Sequence, residues 1–281
     1  MSGSAHIEAR IETVHKLSSV ISAMRGIAAS RVQEAHEHVE SIRTYADTIG
    51  DAIGHALSFL PGGRAPAVNG PTGKPIVVLI AAEQGFAGTF NEKVFESAAP
   101  LLDAPHDLLI VGDRGFLSAQ ERQLPVAWSD AMIAHPAQTS PLASRIAEAV
   151  YDRLAHGGAS QVWLIHALPG ASAGLKVEMR HLIPFDYDRF PLPRNRDRPL
   201  LTLEPGLLLE RLVEEYIFAE LSEAVMLSFA AENEARMRAM IAAHDNVTTS
   251  LQDLVATARR LRQEEITEEI MELATGSLMA P

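Results

Sequence analysis

At 281 residues the chain can bury a substantial core in one or two domains, and its lack of cysteine excludes disulfide frameworks, thiolate metal sites and cysteine nucleophiles. The 36 acidic and 24 basic side chains leave a formal net charge of -12, which argues against broad nucleic-acid binding because phosphate contacts need a basic face. The amino terminus lacks a basic stretch followed by an apolar one, and no later apolar run approaches membrane-spanning length, so a cytosolic chain without a span is expected.

The first predicted element is a helix within residues 1–60, which contain no proline. Stepping three then four residues from Ile11 gives Val14, Ser18, Ile21, Arg25, Ala28, Val32, Ala35, Val39, Ile42, Ala46, Ile49 and Ile53. Most are apolar, as a coiled-coil seam requires. The breaker-rich stretch PGGRAPAVNGPTGKP then reads as an exposed connection.

Residues 75–190 change character. PIVVLIAA at 75–82, DLLIVG at 107–112 and QVWLIHAL at 161–168 read as buried strands, separated by helical stretches near 90–102, 114–121 and 139–156. That alternation predicts a Rossmann-like parallel sheet wrapped by helices. GLKVEMRHLIPF at 174–185 alternates more strictly and predicts an antiparallel edge strand.

A second linker, PFDYDRFPLPRNRDRP, precedes a proline-free run within residues 206–281 that predicts one very long helix. At 1.5 Å per residue such a helix reaches roughly 110 Å. Val247, Leu251, Leu254, Ala258 and Leu261 keep the three-four spacing, and the phase slips before Ile266, Ile270 and Leu273. The expected fold class is therefore α/β plus a long antiparallel coiled coil: the terminal helices pair as a rod, with the α/β domain inserted between them as a foot.

Several residues invite a chemical reading. Gly85 and Gly88 follow the first strand, but EQGFAGTFN has neither the G-x-G-x-x-G order nor the Lys-Ser/Thr of a phosphate loop, so a tight turn is the better account. His36 and His38 are two apart on a helix and point to different faces, which disfavours a shared metal. Glu83 and Asp113 stand at strand ends without a nucleophile or base partner. No catalytic residue, metal or cofactor is expected. Arg259, Arg260 and Arg262 form a basic cluster whose ordinary explanation is a solvated face. In AENEARMRAMIAAHDNV, residues 231–247, Met237 and Met240 are packing candidates, while Arg236, Asp245 and Asn246 fit either a solvated face or a surface touched by another protein.

That last stretch, with RQEEITEEIMELATG, resembles the carboxy-terminal signature of the gamma subunit of F-type ATP synthases. Glu232, Ala235, Arg236, Met237, Ala239, Met240, Ala243, Asp245, Asn246, Arg262, Gln263, Ile266, Thr267, Glu269, Ile270, Glu272 and Gly276 fall at matching places. In the first helix Arg10, Ile11, Val14, Ala23, Met24, Ala28 and Ala29 match, and AAEQGFAGTFN keeps Gly85, Gly88 and Asn91 of the family's first loop. Ser19, Ser22, Gly26, Arg259, His244, Glu83 and Gln84 depart from the pattern and suggest a divergent branch, an alternative ion-pumping operon rather than the main synthase.

The resemblance implies a rotor shaft inside a hexamer of alpha and beta subunits. It implies a foot that binds epsilon and the membrane c-ring, at the cytoplasmic face of the membrane. It also implies beta-subunit contacts at Arg262, Gln263, Thr267, Met24 and Arg236, a foot-domain loop shaped by Gly85, Gly88 and Asn91, and no direct nucleotide binding. Two other classes fit the residues alone: a free-standing α/β enzyme with a helical oligomerisation hairpin, whose pocket would lie around Glu83 to Asn91, and a structural coiled-coil adaptor.

Overall fold

A computed structural model describes residues 3–61, 73–157, 159, 161–170, 174–193 and 200–278, with the side chains of 3–5 and 272–278 left aside. Most of the first linker, the basic half of the second, and the side chains of Glu272 and Leu273 lie outside the described part.

The element order is α1 (Gly3–Ser58), β1 (Ile76–Ile80), α2 (Phe90–Leu102), β2 (Asp107–Val111), α3 (Asp113–Glu121), β3 (Val126–Asp130), α4 (Thr139–Gly157), β4 (Val162–Leu168), β5 (Lys176–Ile183) and α5 (Pro205–Leu278). Helix α1 ends just before Pro61-Gly62-Gly63, where proline and glycine remove the helix's means of continuing. Helix α5 starts at a proline, whose missing N–H costs nothing in a first turn, and the Glu204 carboxylate accepts the Leu207 N–H at 2.9 Å.

The chain forms two compact units, one of Met1–Ala28 with Met237–Pro281 and one of Ala29–Arg236. In the larger unit the five strands run in the order β3-β2-β1-β4-β5. β1 pairs in parallel with β2 and β4, β2 with β3, and β5 closes one edge antiparallel to β4. Every residue of β1 is fully buried because alternate side chains serve two cores. Ile76, Val78 and Ile80 join a cluster with Leu142 and Ile146 of α4, Ala35 and Val39 of α1, and Leu221, Val225 and Phe229 of α5. Val77 and Leu79 face Phe90, Val94 and Phe95 of α2 and Ala119 of α3. The long helices therefore build one face of the sheet domain. They run antiparallel within this unit: Arg43 meets Glu223 at 2.7 Å, Tyr45 meets Glu215, and Ile53 shares a cluster with Leu209.

Strand β3 is the element the sequence reading misses. Its five residues alternate between half-buried and exposed, and only Val126 and Trp128 carry strong strand preference. Its outer side is blunted. Arg153 donates to the Ala127 carbonyl at 2.8 Å, and Arg145 pairs with Asp130.

The smaller unit shows the seam as a burial pattern. Ile11, Val14 and Ser18 are half-buried and Ile21 and Ala28 buried; Met240 is buried and Val247, Leu251, Leu254, Ala258 and Leu261 half-buried. Three positions depart from expectation. Arg25 sits on the seam by spacing yet is exposed, as its charge demands. Past the phase slip, Ile266 is 48 % and Ile270 60 % exposed, so the seam does not resume there. The antiparallel α1 has 56 residues against 74 in α5 and runs out before α5 ends.

Candidate functional site

Between β1 and α2 the chain must turn from the carboxyl end of a central strand into a helix, the place where open α/β sheets present their loops. Here the loop is held by side chains from three elements. Glu83 turns its carboxylate back so that Oε2 accepts the backbone N–H of Asp113 at 3.1 Å and of Met132 at 2.7 Å. From α5, Glu232 accepts the N–H of Glu83 at 3.1 Å and of Gln84 at 3.2 Å. Asn91, in the first turn of α2, accepts the Ala82 N–H at 2.9 Å. Each bond satisfies a backbone donor of a turn that is at most partly buried.

Arg236 completes the brace from one helical turn further along α5. Its guanidinium pairs with Glu232, donates to Asn233 Oδ1 at 2.9 Å, and reaches the carbonyls of Gln84 at 3.4 Å and Gly85 at 3.3 Å. Asn233 is itself fixed by donating to the Phe229 carbonyl at 2.8 Å. Arg236 and Glu232 are only 4 % and 3 % exposed. The solvated-face reading of Arg236 is therefore corrected: its planar fork is spent inside the chain, on a carboxylate and two carbonyls. Enclosed carboxylate and guanidinium neutralise each other, which is the condition for burying either.

What the brace displays is Phe86. This residue has φ of 63°, a left-handed conformation that costs a residue with a side chain roughly 1–2 kcal/mol, and its ring is 69 % exposed. A large apolar ring held outward in an unfavourable backbone state suits a contact surface better than a reaction centre.

The two loop glycines differ in backbone conformation. Gly88 has φ of +60°, whereas Gly85 has no such φ and open space where a Cβ would stand. Strain at Gly85, expected from the turn reading, does not arise. Gly88→Val is expected to lower the unfolding free energy by about 1–2 kcal/mol, since a branched side chain resists a left-handed backbone, while Gly85→Val stays within about 0.5 kcal/mol of the parent. Urea unfolding of both variants checks this. An equal loss in the two would show that the conformation at Gly88 is not what matters.

The remaining expected contact residues lie in the smaller unit. Met24 is half-buried, and Arg262, Gln263 and Thr267 are exposed. Gln263 and Thr267 share a face of α5 with Arg260, Glu264 and Met271, and the Thr267 hydroxyl donates to the Gln263 carbonyl at 2.7 Å. Arg262 is turned about 100° away from Gln263, so the two side chains point to different sides of the helix. Arg260 stands 3.9 Å from Glu264, a weak exposed pair. His36 and His38 are both exposed, and among the described residues no group of three metal-ligating side chains converges.

Sequence reasoning missed the roles of Glu232, Glu83 and Phe86. The available signal was Glu232 and Arg236, four residues apart in SFAAENEAR, a spacing that makes an ion pair on one helix face. Nothing local announces that this face is buried or that a loop some 150 residues earlier packs on it.

A family model described as ATP synthase matches residues 4–278. The ATP synthase gamma chain of Amoebophilus asiaticus (strain 5a2) is 26 % identical over 285 residues, covering 96 % of each chain. That of Pasteurella multocida (strain Pm70) is 24 % identical, covering 99 % of each. Among solved structures, a chain of the Euglena gracilis mitochondrial ATP synthase (OSCP/F1/c-ring, rotational state 3) superposes with a TM-score of 0.73 at 15 % identity, over 98 % of this chain and 93 % of that one. A chain of the Tetrahymena thermophila mitochondrial ATP synthase central stalk and c-ring gives 0.58 at 20 % identity, over 80 % of this chain and 99 % of that one. At these identities the superpositions establish the fold.

Proposed function

The chain belongs to the ATP synthase gamma family, and on that membership we propose that it is the central rotor shaft of an F-type ATP synthase, turning inside a hexamer of alpha and beta subunits and standing on epsilon and a membrane c-ring. The observation that carries this reading is the family match along residues 4–278. A continuous 74-residue helix α5, flanked antiparallel by α1, suits the role. The assemblies in which its structural relatives were solved, F1 with a c-ring and a central stalk with a c-ring, supply the partners.

The shaft is a non-catalytic subunit of a proton- or sodium-translocating complex. Supporting this, the loop at the sheet's carboxyl edge spends Glu83, Asn91, Glu232 and Arg236 on backbone groups and on each other. Its site is peripheral, on the cytoplasmic face of the membrane. No described helix is long and apolar enough to cross one.

Coupling then follows from differential contact. A shaft can bias three catalytic subunits only if it touches their nucleotide states unequally. Met24, Arg262, Gln263 and Thr267 present side chains for such contacts. Arg236 acts at second hand, by setting the shape of the loop that carries Phe86. Regions 1–60 and 206–281 serve as shaft, and 75–190 as foot.

Co-expression with alpha and beta subunits tests the assignment. One copy of this chain should co-purify with three of each, and that complex should hydrolyse ATP. A chain that elutes alone, with alpha and beta assembled without it, would sink the proposal and revive the enzyme or adaptor readings.

A further inference from the structure

In the larger unit a cavity of about 470 Å³ opens between the end of β5, helix α4 and the first turns of α5. That volume falls in the range of small-molecule pockets. Its walls are mostly apolar, with Ile183, Phe185, Leu209 and Val213 among them. The polar groups that line it are two carboxylates, Glu210 and Glu214, and two phenols, Tyr151 and Tyr187. No basic side chain lines it among the described residues.

The Tyr151 hydroxyl is buried and has no hydrogen-bond partner among the described residues. A buried hydroxyl left so costs stability, and ordered water or a ligand would relieve it. Burial, with Glu214 and Glu215 close by, pushes the Tyr151 phenol up to about 12, and burial with Glu210 raises Tyr187 as well. Both phenols thus remain neutral and can accept or donate. Oε2 of Glu214 is held by Arg211 at 2.7 Å, but that arginine is 64 % exposed and the pair is correspondingly weak.

Anions are repelled by such a lining, and a neutral apolar molecule makes no use of its two carboxylates, for which Arg211 supplies only a solvent-exposed partner at Glu214. A cation with an apolar body answers every group. Its ammonium N–H donors suit the carboxylate and phenol oxygens of the lining. Its alkyl or aryl body fills the floor formed by Leu209 and Val213. We propose that this cavity is a binding site for an apolar organic ammonium, a protonated primary amine carrying an alkyl or aryl tail.

A series with one tail and three charges tests this on the full chain. Octylammonium, octan-1-ol and octanoate are titrated by calorimetry. Octylammonium should bind at one site, at least about tenfold tighter than octan-1-ol, and octanoate should not bind detectably. Glu210→Gln with Glu214→Gln keeps the cavity's shape and should erase the preference for the cation. Tyr151→Phe should weaken octylammonium binding severalfold and leave octan-1-ol unchanged. Equal binding of all three, no binding of octylammonium, or unchanged preference in the double variant would each overturn the proposal. So would binding to the free chain that vanishes in the assembled complex, which would give the cavity to a basic side chain of a neighbouring subunit.

Discussion

Arg236→Ala is expected to remove about 3–5 kcal/mol from the stability of the larger unit, read as the free energy of urea unfolding. The substitution leaves Glu232, 3 % exposed, as a buried carboxylate without its cation, and strips the Gln84 and Gly85 carbonyls of a donor. Uncompensated burial of a charge is among the few single changes that cost this much. A double replacement separates the pair from the loop it braces. Glu232→Leu with Arg236→Met removes both charges and keeps the volume, which for an ion pair alone would be close to neutral. Here it also abandons the N–H groups of Glu83 and Gln84, so recovery should be only partial. Full recovery would mean that the loop bonds contribute nothing. A loss below about 1 kcal/mol in Arg236→Ala would mean that the buried pair is not formed.

Arg262→Ala with Gln263→Ala should behave in the opposite way. Both side chains are exposed, so the helix content and thermal midpoint of the isolated chain should hardly move, with a stability change within about 0.5 kcal/mol. ATP hydrolysis by the reconstituted complex should fall about tenfold, the loss expected for one charge-assisted hydrogen bond made in only some rotor angles. Because the two residues diverge by about 100° around α5, the single variants carry further information. If one beta-subunit loop wraps both faces, the single effects should couple; if each side chain meets a different subunit, they should add. Unaltered turnover in the double variant would remove both residues from the coupling surface. Marked destabilisation of the isolated chain would assign them to folding.

The two long helices and the parallel sheet were legible because each rests on a period that neighbouring residues enforce. The three-four spacing from Ile11 to Ile53 maps onto buried and half-buried positions with Arg25 as the exception, and the apolar runs at 75–82, 107–112 and 161–168 are the sheet's central strands. β3 escaped notice because an edge strand half in water needs no apolar run. The loop site was legible only through the family resemblance, which singled out Gly85, Gly88, Asn91 and Arg236. It could not give the reason, since the partners of Glu83 and Arg236 come from segments 30 to 152 residues distant in the chain. The exposed Ile266 and Ile270 were misread for a related cause: spacing reports which residues could face a partner helix, not where that partner stops.

The Arg43–Glu223 pair spans 180 residues of sequence, and the apolar cluster beneath the sheet takes Ala35 and Val39 from the beginning of the chain and Leu221, Val225 and Phe229 from near its end. On a ribosome adding about 5–20 residues per second, the first helix therefore waits roughly 10–40 s for the segment that covers it. During that interval the underside of the sheet and the apolar stripe of α1 are open to solvent and to other nascent chains. Synthesis halted before residue 217 would release a polypeptide whose sheet has all five strands but half its cover, and such a fragment should be found with chaperones or in aggregates. The same geometry spaces quality control in time: a chain that survives to completion has just received the helix that both closes its core and carries Glu232 and Arg236 to the loop.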